Sequence, residues 1–327
     1  MKEVEDIIMG KNRQKTFVVI NLAYIGDVMV CSALCEEIKK NYPESKLIFV
    51  TNNISAQVAE GIPSVDEVRI FDKKKEHRGL LGLLKFASTF KDVDVCFPVH
   101  SYDRGNLLAF LTGARRRISN KQEKNLTRFL LTDCLNTDSI HVVDRTLELV
   151  VPVTGKKPES SMNYRVKAEY SKRAFDMIKE QGYDKYELIA LCTNTKNPVK
   201  DWNAKEAAEF IKLVNKSGRR VVWVGTSNSA EMAEEVENNI GDVFLNLINK
   251  TDIALLGGVL KNCKALVSVD TGTMHIGVAM KMPVVCLFFV PFLLDEWAPR
   301  DESFTRVILS EEGISASLCF EKLKELI

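Results

Sequence analysis

The sequence predicts an α/β protein built from two doubly wound, Rossmann-like domains in tandem, and three observations lead there. Short apolar runs alternate with longer amphipathic stretches along almost all of the 327 residues, the βαβ rhythm of a parallel sheet with helices on both faces. The rhythm loosens before a polar stretch with Pro158, Lys156-Lys-Pro-Glu-Ser-Ser161, which reads as a linker. The length suits two cores of ordinary size.

In the first half, Thr16–Asn21 is a buried strand, followed by a helix from about Val28 to Asn41. Lys46–Thr51 is the next strand and Ser55–Glu60 the next helical piece. Glu67–Phe71 and Val93–Phe97 then read as strands around a helix over Leu80–Thr89. Past the linker, the strands are Leu188–Thr193, Arg220–Gly225, Ala265–Val269 and Val284–Phe288. Helices are expected over Ala204–Lys216, Ser229–Asn239, Asp252–Asn262 and Met274–Met280, with a closing helix over Ser315–Ile327.

At 46% hydrophobic and 27% charged residues, the composition is that of a globular protein. A net charge of +1 gives no global field of the kind that gathers nucleic acid. Of the eight cysteines, Cys96, Cys192, Cys263 and Cys286 lie in apolar runs, and there is no CxxC pair or Cys/His cluster to suggest a zinc site. A reduced, cytoplasmic protein is the simpler reading. Met1–Lys15 is polar and lacks the apolar core of a signal peptide. The run Val284–Leu294 contains Pro291 and falls short of the ~20 residues of a membrane span, so membrane contact would be peripheral.

Ligands of open α/β sheets bind beyond the carboxyl ends of the strands, and three loops there carry chemistry. The first is Asn21-Leu-Ala-Tyr-Ile-Gly-Asp-Val28. Gly26 allows a tight turn, and Asp27 is either a helix cap or a general base that takes a proton from an acceptor hydroxyl. The absence of GxGxxG there argues against a dinucleotide dehydrogenase.

The second loop, Cys192–Trp202, offers the hydroxyls of Thr193 and Thr195 and the cations of Lys196 and Lys200. Such groups suit a pyrophosphate; the plain alternative is a solvated loop anchored by Trp202. In the third, Asp270 precedes a Thr271-Gly272-Thr273 turn into a helix that carries Met274 and His275. Free amides and two hydroxyls at a helix N-terminus make an anion site. Asp270 beside it would repel phosphate, so a sugar hydroxyl suits it better.

Taken together, these loops resemble glycosyltransferase family 9, whose members include the lipopolysaccharide heptosyltransferases. The resemblance rests on Ile25-Gly-Asp-Val with Asn41-Tyr-Pro, on Tyr102-Asp-Arg and Leu111-Thr-Gly-Ala, and on Lys200-Asp-Trp. Leu247-Ile-Asn-Lys-Thr before a helix, Asp270-Thr-Gly-Thr-Met-His and Pro283-Val-Val-Cys-Leu-Phe complete the order.

The resemblance implies a GT-B fold, two facing domains with a cleft between them. Residues 1–158 would bind the acceptor and 159–327 the nucleotide sugar, with the last helix able to pack back on the first domain. It implies an inverting, metal-independent transfer with no cofactor, in which Asp27 deprotonates the acceptor. Lys200, with Thr195 and Lys196, would bind the departing diphosphate, Asp270 would hold sugar hydroxyls, and the amides around Thr271–Met274 would support the phosphates. His275 would orient the donor, and Glu231 or Ser229 would meet the ribose.

The donor would be a nucleotide sugar such as ADP-heptose, and the acceptor an anionic glycolipid of the lipopolysaccharide core or a related glycan at the inner face of the inner membrane. Gly26, Tyr102, Arg104 and Arg128 are acceptor candidates, with Arg115, Arg116 and Arg117 as further cations; such a run also reads as a solvated helix end. Phe288-Phe-Val-Pro-Phe departs from the Phe-Gly-Pro-Thr of many relatives and leaves the sugar open. The alternatives are a relative using another nucleotide sugar, an epimerase of the same fold, and a silent nucleotide-sugar or glycan binder.

Overall fold

The structure, a computed structural model, describes residues 13–100, 102–122, 125–240 and 244–327. Most of the polar stretch Met1–Lys15 lies outside the described residues. The chain forms two compact units: residues up to Ser139 with Val143–Ser161, and Ile140–Val142 with Met162–Ile327.

The first unit contains β1 (Thr16–Ile20), α1 (Ile25–Asn41), β2 (Lys46–Thr51), α2 (Ala56–Glu60), β3 (Glu67–Ile70) and α3 (Gly79–Ala87). Then come β4 (Val95–Pro98), α4 (Asp103–Leu111), β5 (Arg116–Asn120), a 3-10 turn at Arg128–Leu130 and β6 (Asp133–Leu135). Two short helices, α5 (Val142–Leu147) and α6 (Val151–Thr154), follow. The strands pair in parallel in the order β3-β2-β1-β4-β5-β6. Phe17–Ile20 and Leu47–Val50 are buried without interruption, as strands covered on both faces require. α1 buries nearly its whole circumference, Val28 through Cys35. Leu83, Phe86, Leu108 and Ala109 of α3 and α4 share a core with Val18 and Ile48 of the sheet.

The second unit contains α7 (Ala168–Glu180), β7 (Leu188–Cys192), α8 (Ala204–Lys216), β8 (Arg220–Trp223), α9 (Ala230–Ile240) and β9 (Leu245–Asn246). It continues through α10 (Ile253–Lys261), β10 (Ala265–Val269), α11 (Gly272–Ala279), β11 (Val284–Phe288), α12 (Pro291–Trp297), β12 (Thr305–Leu309) and α13 (Ala316–Lys324). Its parallel sheet has the order β12-β11-β10-β7-β8-β9, the same winding as the first. Trp202, Phe210, Trp223, Val267 and Leu287 anchor one core. At Gly277 a Cβ would come within 2.8 Å of the Leu266 side chain and 3.2 Å of that of Val284, so any larger residue would force these core side chains to shift where α11 lies on the strands.

Two expectations need correction. The arginine run is not a helix end: Arg116 and Arg117 open β5. The Arg116 guanidinium is held bidentately by Asp133, at 3.2 and 2.6 Å, and also donates to the Pro152 carbonyl. Arg117 donates to the carbonyls of Leu130 and Ala114. Both cations are committed to the fold and withdraw from the acceptor set. The helix after β1 also starts earlier than expected, at Ile25, which puts Asp27 inside its first turn. The segments α4, α5, α6, α7, α12, β6, β9 and β12 had no assigned pattern in the sequence.

Candidate active site

Each sheet reverses its winding at one place, where a doubly wound fold leaves a crevice for ligands. In the first unit that place lies between β1 and β4, and in the second between β7 and β10. The chemistry-bearing loops follow those four strands.

After β1 the loop is held from below by two asparagines. Buried Asn21 accepts from the Ala23 amide and donates to the Asp27 carbonyl, both at 3.0 Å. The Asn52 amide donates to the carbonyls of Leu22 and Ala23 at 2.9 and 2.7 Å. Asp27 therefore starts from a fixed backbone. Its Oδ2 accepts from the Tyr24 amide at 3.3 Å, half of a capping box. Its Oδ1 lies 3.2 Å from His100 Nε2, an ion-pair distance without hydrogen-bond alignment. The cap and general-base readings thus use different oxygens of one carboxylate.

His100 had no role in the sequence reading. It stands two residues beyond β4 with φ +68°, a left-handed conformation that costs a non-glycine residue about 1–3 kcal/mol. A lone histidine has no motif; the signal that finds it is its place on the strand across the winding reversal from Asp27.

Around α4, Tyr102 and Arg104 are exposed at the helix start, and Arg128 is exposed on the 3-10 turn packed against it. Asp103 ties the two by accepting from the Thr127 amide and hydroxyl at 3.0 and 2.9 Å. Gly26 is half-buried beside Asp27.

In the second unit, Lys200 and Asp270 meet. Lys200 Nζ donates to Asp270 Oδ2 at 2.6 Å, with side chains 23% and 8% exposed. The sequence posed a conflict, a carboxylate beside an anion site, and this pairing resolves it by cancelling the charge that would repel a phosphate. An ammonium has three donors, so two N–H groups of Lys200 remain for a ligand. Behind the pair, His275 is buried, with Nε2 3.9 Å from Asp270 Oδ1 and its ring against Trp297 of α12 at 5.5 Å. That places His275 at the back of Asp270. Thr271 is the N-cap of α11 without a side-chain capping bond, and Gly272 and Thr273 are half-buried with it. Met274 is fully buried, so its side chain serves the packing of α11 rather than a ligand.

The β7 loop is cross-braced by Asp201, which accepts from the Asn194 side chain at 3.0 Å and the Thr195 amide at 2.6 Å. Trp202 is wholly buried and donates its indole N–H to the Ile314 carbonyl at 2.7 Å. The expected Trp202 anchor of this loop is therefore present. Lys196 is exposed and Thr195 half-buried; the Thr195 hydroxyl is taken within its own loop, donating to the Asn197 carbonyl and accepting from the Asn197 amide, both at 2.8 Å, and its carbonyl accepts from the Asn228 side chain of the neighbouring β8 loop at 2.8 Å.

Thr193 needs correction. It is fully buried, and its hydroxyl donates to Asn194 Oδ1 at 2.6 Å while accepting from the Trp223 indole at 3.2 Å, so it braces the loop and offers nothing to a ligand. In the β8 loop Ser229 is buried while Glu231 is exposed in the first turn of α9, which leaves Glu231 as the ribose candidate. Burial, with the nearby Asp270 charge, pushes the Cys286 thiol well up, and burial also raises Cys192 against the lowering hydrogen bonds of Thr273 and Ser268, so neither favours the thiolate. The concave groove lined by Arg306, Lys322 and Glu325 lies along the edge strand β12 rather than at the winding reversal.

The structure of a family 9 glycosyltransferase from Veillonella parvula superposes with a TM-score of 0.84 at 22% identity, over 95% of this chain and 97% of that one. That of Escherichia coli ADP-heptose lipopolysaccharide heptosyltransferase II gives 0.80 at 19%, over 95% and 98%. Two doubly wound parallel-sheet units of this kind define the GT-B class of glycosyltransferase folds.

Among curated proteins, the lipopolysaccharide core heptosyltransferase OpsX of Haemophilus influenzae is 21% identical over 84% of this chain and 79% of its own length. The profile of glycosyltransferase family 9 (heptosyltransferase) matches residues 104–325. The chain belongs to glycosyltransferase family 9 and is a glycosyltransferase. The match begins at Arg104 and spans the second-unit loops, leaving Asp27 and His100 before it.

Proposed function

We propose that the protein transfers a sugar, heptose from ADP-heptose, onto a lipopolysaccharide core or related surface glycan in one inverting displacement. The observation that carries this reading is the Lys200–Asp270 pair beside the open N-terminus of α11 at the second winding reversal. It is a cation with spare donors next to free amides, as a diphosphate leaving group requires. That some relatives are ADP-heptose enzymes by name supports the choice of donor.

In this reading residues 1–158 take the acceptor and residues 159–327 the donor. The acceptor hydroxyl oxygen bonds to the anomeric carbon, its proton passes to Asp27 Oδ1, and the carbon–oxygen bond to the diphosphate breaks. ADP departs with its new charge on Lys200, helped by Lys196 and the amides of Thr271, Gly272 and Thr273. Asp270 holds Lys200 through Oδ2 and offers Oδ1 to donor hydroxyls, and His275 fixes the Asp270 carboxylate from behind. Glu231 meets the ribose. Tyr102, Arg104, Arg128 and the turn at Gly26 take an anionic acceptor, on the cytoplasmic face of the inner membrane. No described helix is long and apolar enough to cross a membrane.

The test is a thermal-shift titration against ADP, UDP, GDP and ADP-heptose, with Lys200→Ala as control. A ligand that binds only the folded state raises its melting temperature. Selective stabilisation by the adenine nucleotides, lost in the variant, is expected. Selectivity for UDP or GDP would overturn the donor, and no response to any nucleotide would turn the reading toward a silent binder.

A further inference from the structure

The turn before α3 and the outer face of that helix form a surface that the transfer chemistry does not use. α3 turns Leu83, Phe86 and Ala87 into the core. Its other face leaves three leucines in water: Leu80 at 64%, Leu81 at 82% and Leu84 at 42% exposure. Immediately before it, the exposed run Lys73-Lys-Lys-Glu76 and Arg78 carries four cations against one carboxylate, and Lys85 adds a fifth cation on the helix.

The turn and the helix are built as one piece. Asp72 Oδ1 accepts from the amides of Lys74 and Lys75 at 2.9 and 3.0 Å. The Asp72 amide donates to His77 Nδ1 at 2.9 Å, and the His77 ring stacks on Phe71 and meets the edge of Phe86. The turn backbone lies directly on α3, because a Cβ at Gly82 would stand 2.5 Å from the His77 carbonyl carbon. The cations are therefore held beside the leucines by a rigid turn.

We infer that this face docks on an anionic lipid bilayer, with Leu80, Leu81 and Leu84 entering the headgroup boundary and Lys73, Lys74 and Lys75 meeting acidic lipid. Peripheral binding needs both apolar area and attraction to negative charge, and this face supplies both in contiguous chain. A second copy of the chain is a poor occupant, since a two-fold contact would set one basic turn against another. The inference rests on the proposed glycolipid acceptor for its purpose, because docking here presents the carboxyl edge of the first sheet, with Asp27, to a membrane-borne substrate.

The test is co-sedimentation of the full chain with vesicles of phosphatidylcholine alone and of equal parts phosphatidylcholine and phosphatidylglycerol. The vesicles contain no glycolipid, so binding reports the bilayer. The chain is expected to pellet with the mixed vesicles only. Replacing Lys73, Lys74 and Lys75 by Gln should lower partition more than about tenfold, and Leu80→Ser with Leu81→Ser should lower it several-fold. All five positions are exposed, and an unchanged ADP thermal shift shows that each variant is folded. Equal binding to both vesicle types, or wild-type partition by either variant, overturns the inference. So does a concentration-dependent dimer that the serine variant abolishes while vesicle binding persists. Vesicle binding without any nucleotide response would leave docking standing and remove the transferase reading; the reverse result would do the opposite.

Discussion

The two units share one winding, and their pairs of facing groups occupy equivalent places with different chemistry. In each, one member follows the first strand of the sheet and the other follows the fourth, across the reversal. In the first unit the members are Asp27 and His100 at 3.2 Å; in the second they are Lys200 and Asp270 at 2.6 Å. The first pair joins two potential proton acceptors, with the carboxylate also drawn to a helix N-terminus, an arrangement suited to moving a proton. The second joins a lysine to a carboxylate under an open helix N-terminus, an arrangement suited to holding charge. The topology sets where a site forms, and the residue types at the four strand ends set what it does.

The sharpest way to break this comparison is to neutralise each carboxylate and cation separately. Asp27→Asn keeps the shape and, through its carbonyl oxygen, the capping bond, but removes the base. kcat should fall by about 10²–10⁴-fold, the usual worth of general-base catalysis, with nucleotide binding unchanged by thermal shift. An Asp27→Asn enzyme with near-normal kcat would mean that the first pair moves no proton.

Lys200→Ala should lower kcat by about 10²–10³-fold, as expected for removing one preorganised charge stabiliser, and should also abolish the ADP thermal shift. It leaves Asp270 buried without its cation, with His275 3.9 Å away. Breaking a fully buried pair costs about 3–5 kcal/mol; because Lys200 is 23% exposed, about 2 kcal/mol is the expected loss in urea denaturation. The double variant Lys200→Met with Asp270→Leu should recover stability without activity. Failure to recover it would mean that the pair does more for the fold than balance charge.

The sequence made both members of the second pair legible but only one of the first. Asp27 and Lys200 follow first strands, and Asp270 heads a turn into a helix; all three sit in loops whose residue types announce polar chemistry. His100 stayed hidden because a lone histidine after Val95–Pro98 carries no motif, and its place beside Asp27 comes only from pairing across β1 and β4. Thr193 was over-read for the complementary reason: a threonine at a strand end looks available until Trp223 from the neighbouring strand is seen to take its oxygen. The arginine run misled because strand β5 is short and polar at its start, and its true partner, Asp133, lies 17 positions away from Arg116. Long buried strands and helices with strong periodicity were readable; partners distant in sequence were not.

His100 sharpens the comparison at smaller amplitude. His100→Asn keeps a residue type that tolerates left-handed backbone but cannot reach Asp27 with an imidazole. If His100 positions the Asp27 carboxylate, kcat should drop about tenfold, the worth of one charge-assisted contact, with KM for donor unchanged and stability equal or slightly higher. A merely structural histidine would show the reverse, lost stability with normal kcat.

The smallest effect separates the acid response of the first unit from its chemistry. Glu37 on α1 is buried, and its Oε2 accepts from the amides of Glu159 and Ser160 at 3.1 Å and from the Ser160 hydroxyl at 2.8 Å, while Asn41 donates to Oε1. Burial alone would raise its pKa, but the hydrogen bonds from Ser160, Glu159 and Asn41 outweigh it and hold the carboxyl below the usual glutamate value. A carboxyl lowered on folding binds more protons in the unfolded chain, so its contribution is complete above the unfolded-state pKa and disappears as pH falls through the folded-state value. Glu37→Gln should therefore cost about 1 kcal/mol at neutral pH and progressively less as the solution is acidified, since the wild type loses the same contacts on protonation. Urea melts of both proteins at neutral and acidic pH would show the two stabilities converging; a gap that stayed constant with pH would mean that Glu37 acts through packing rather than charge.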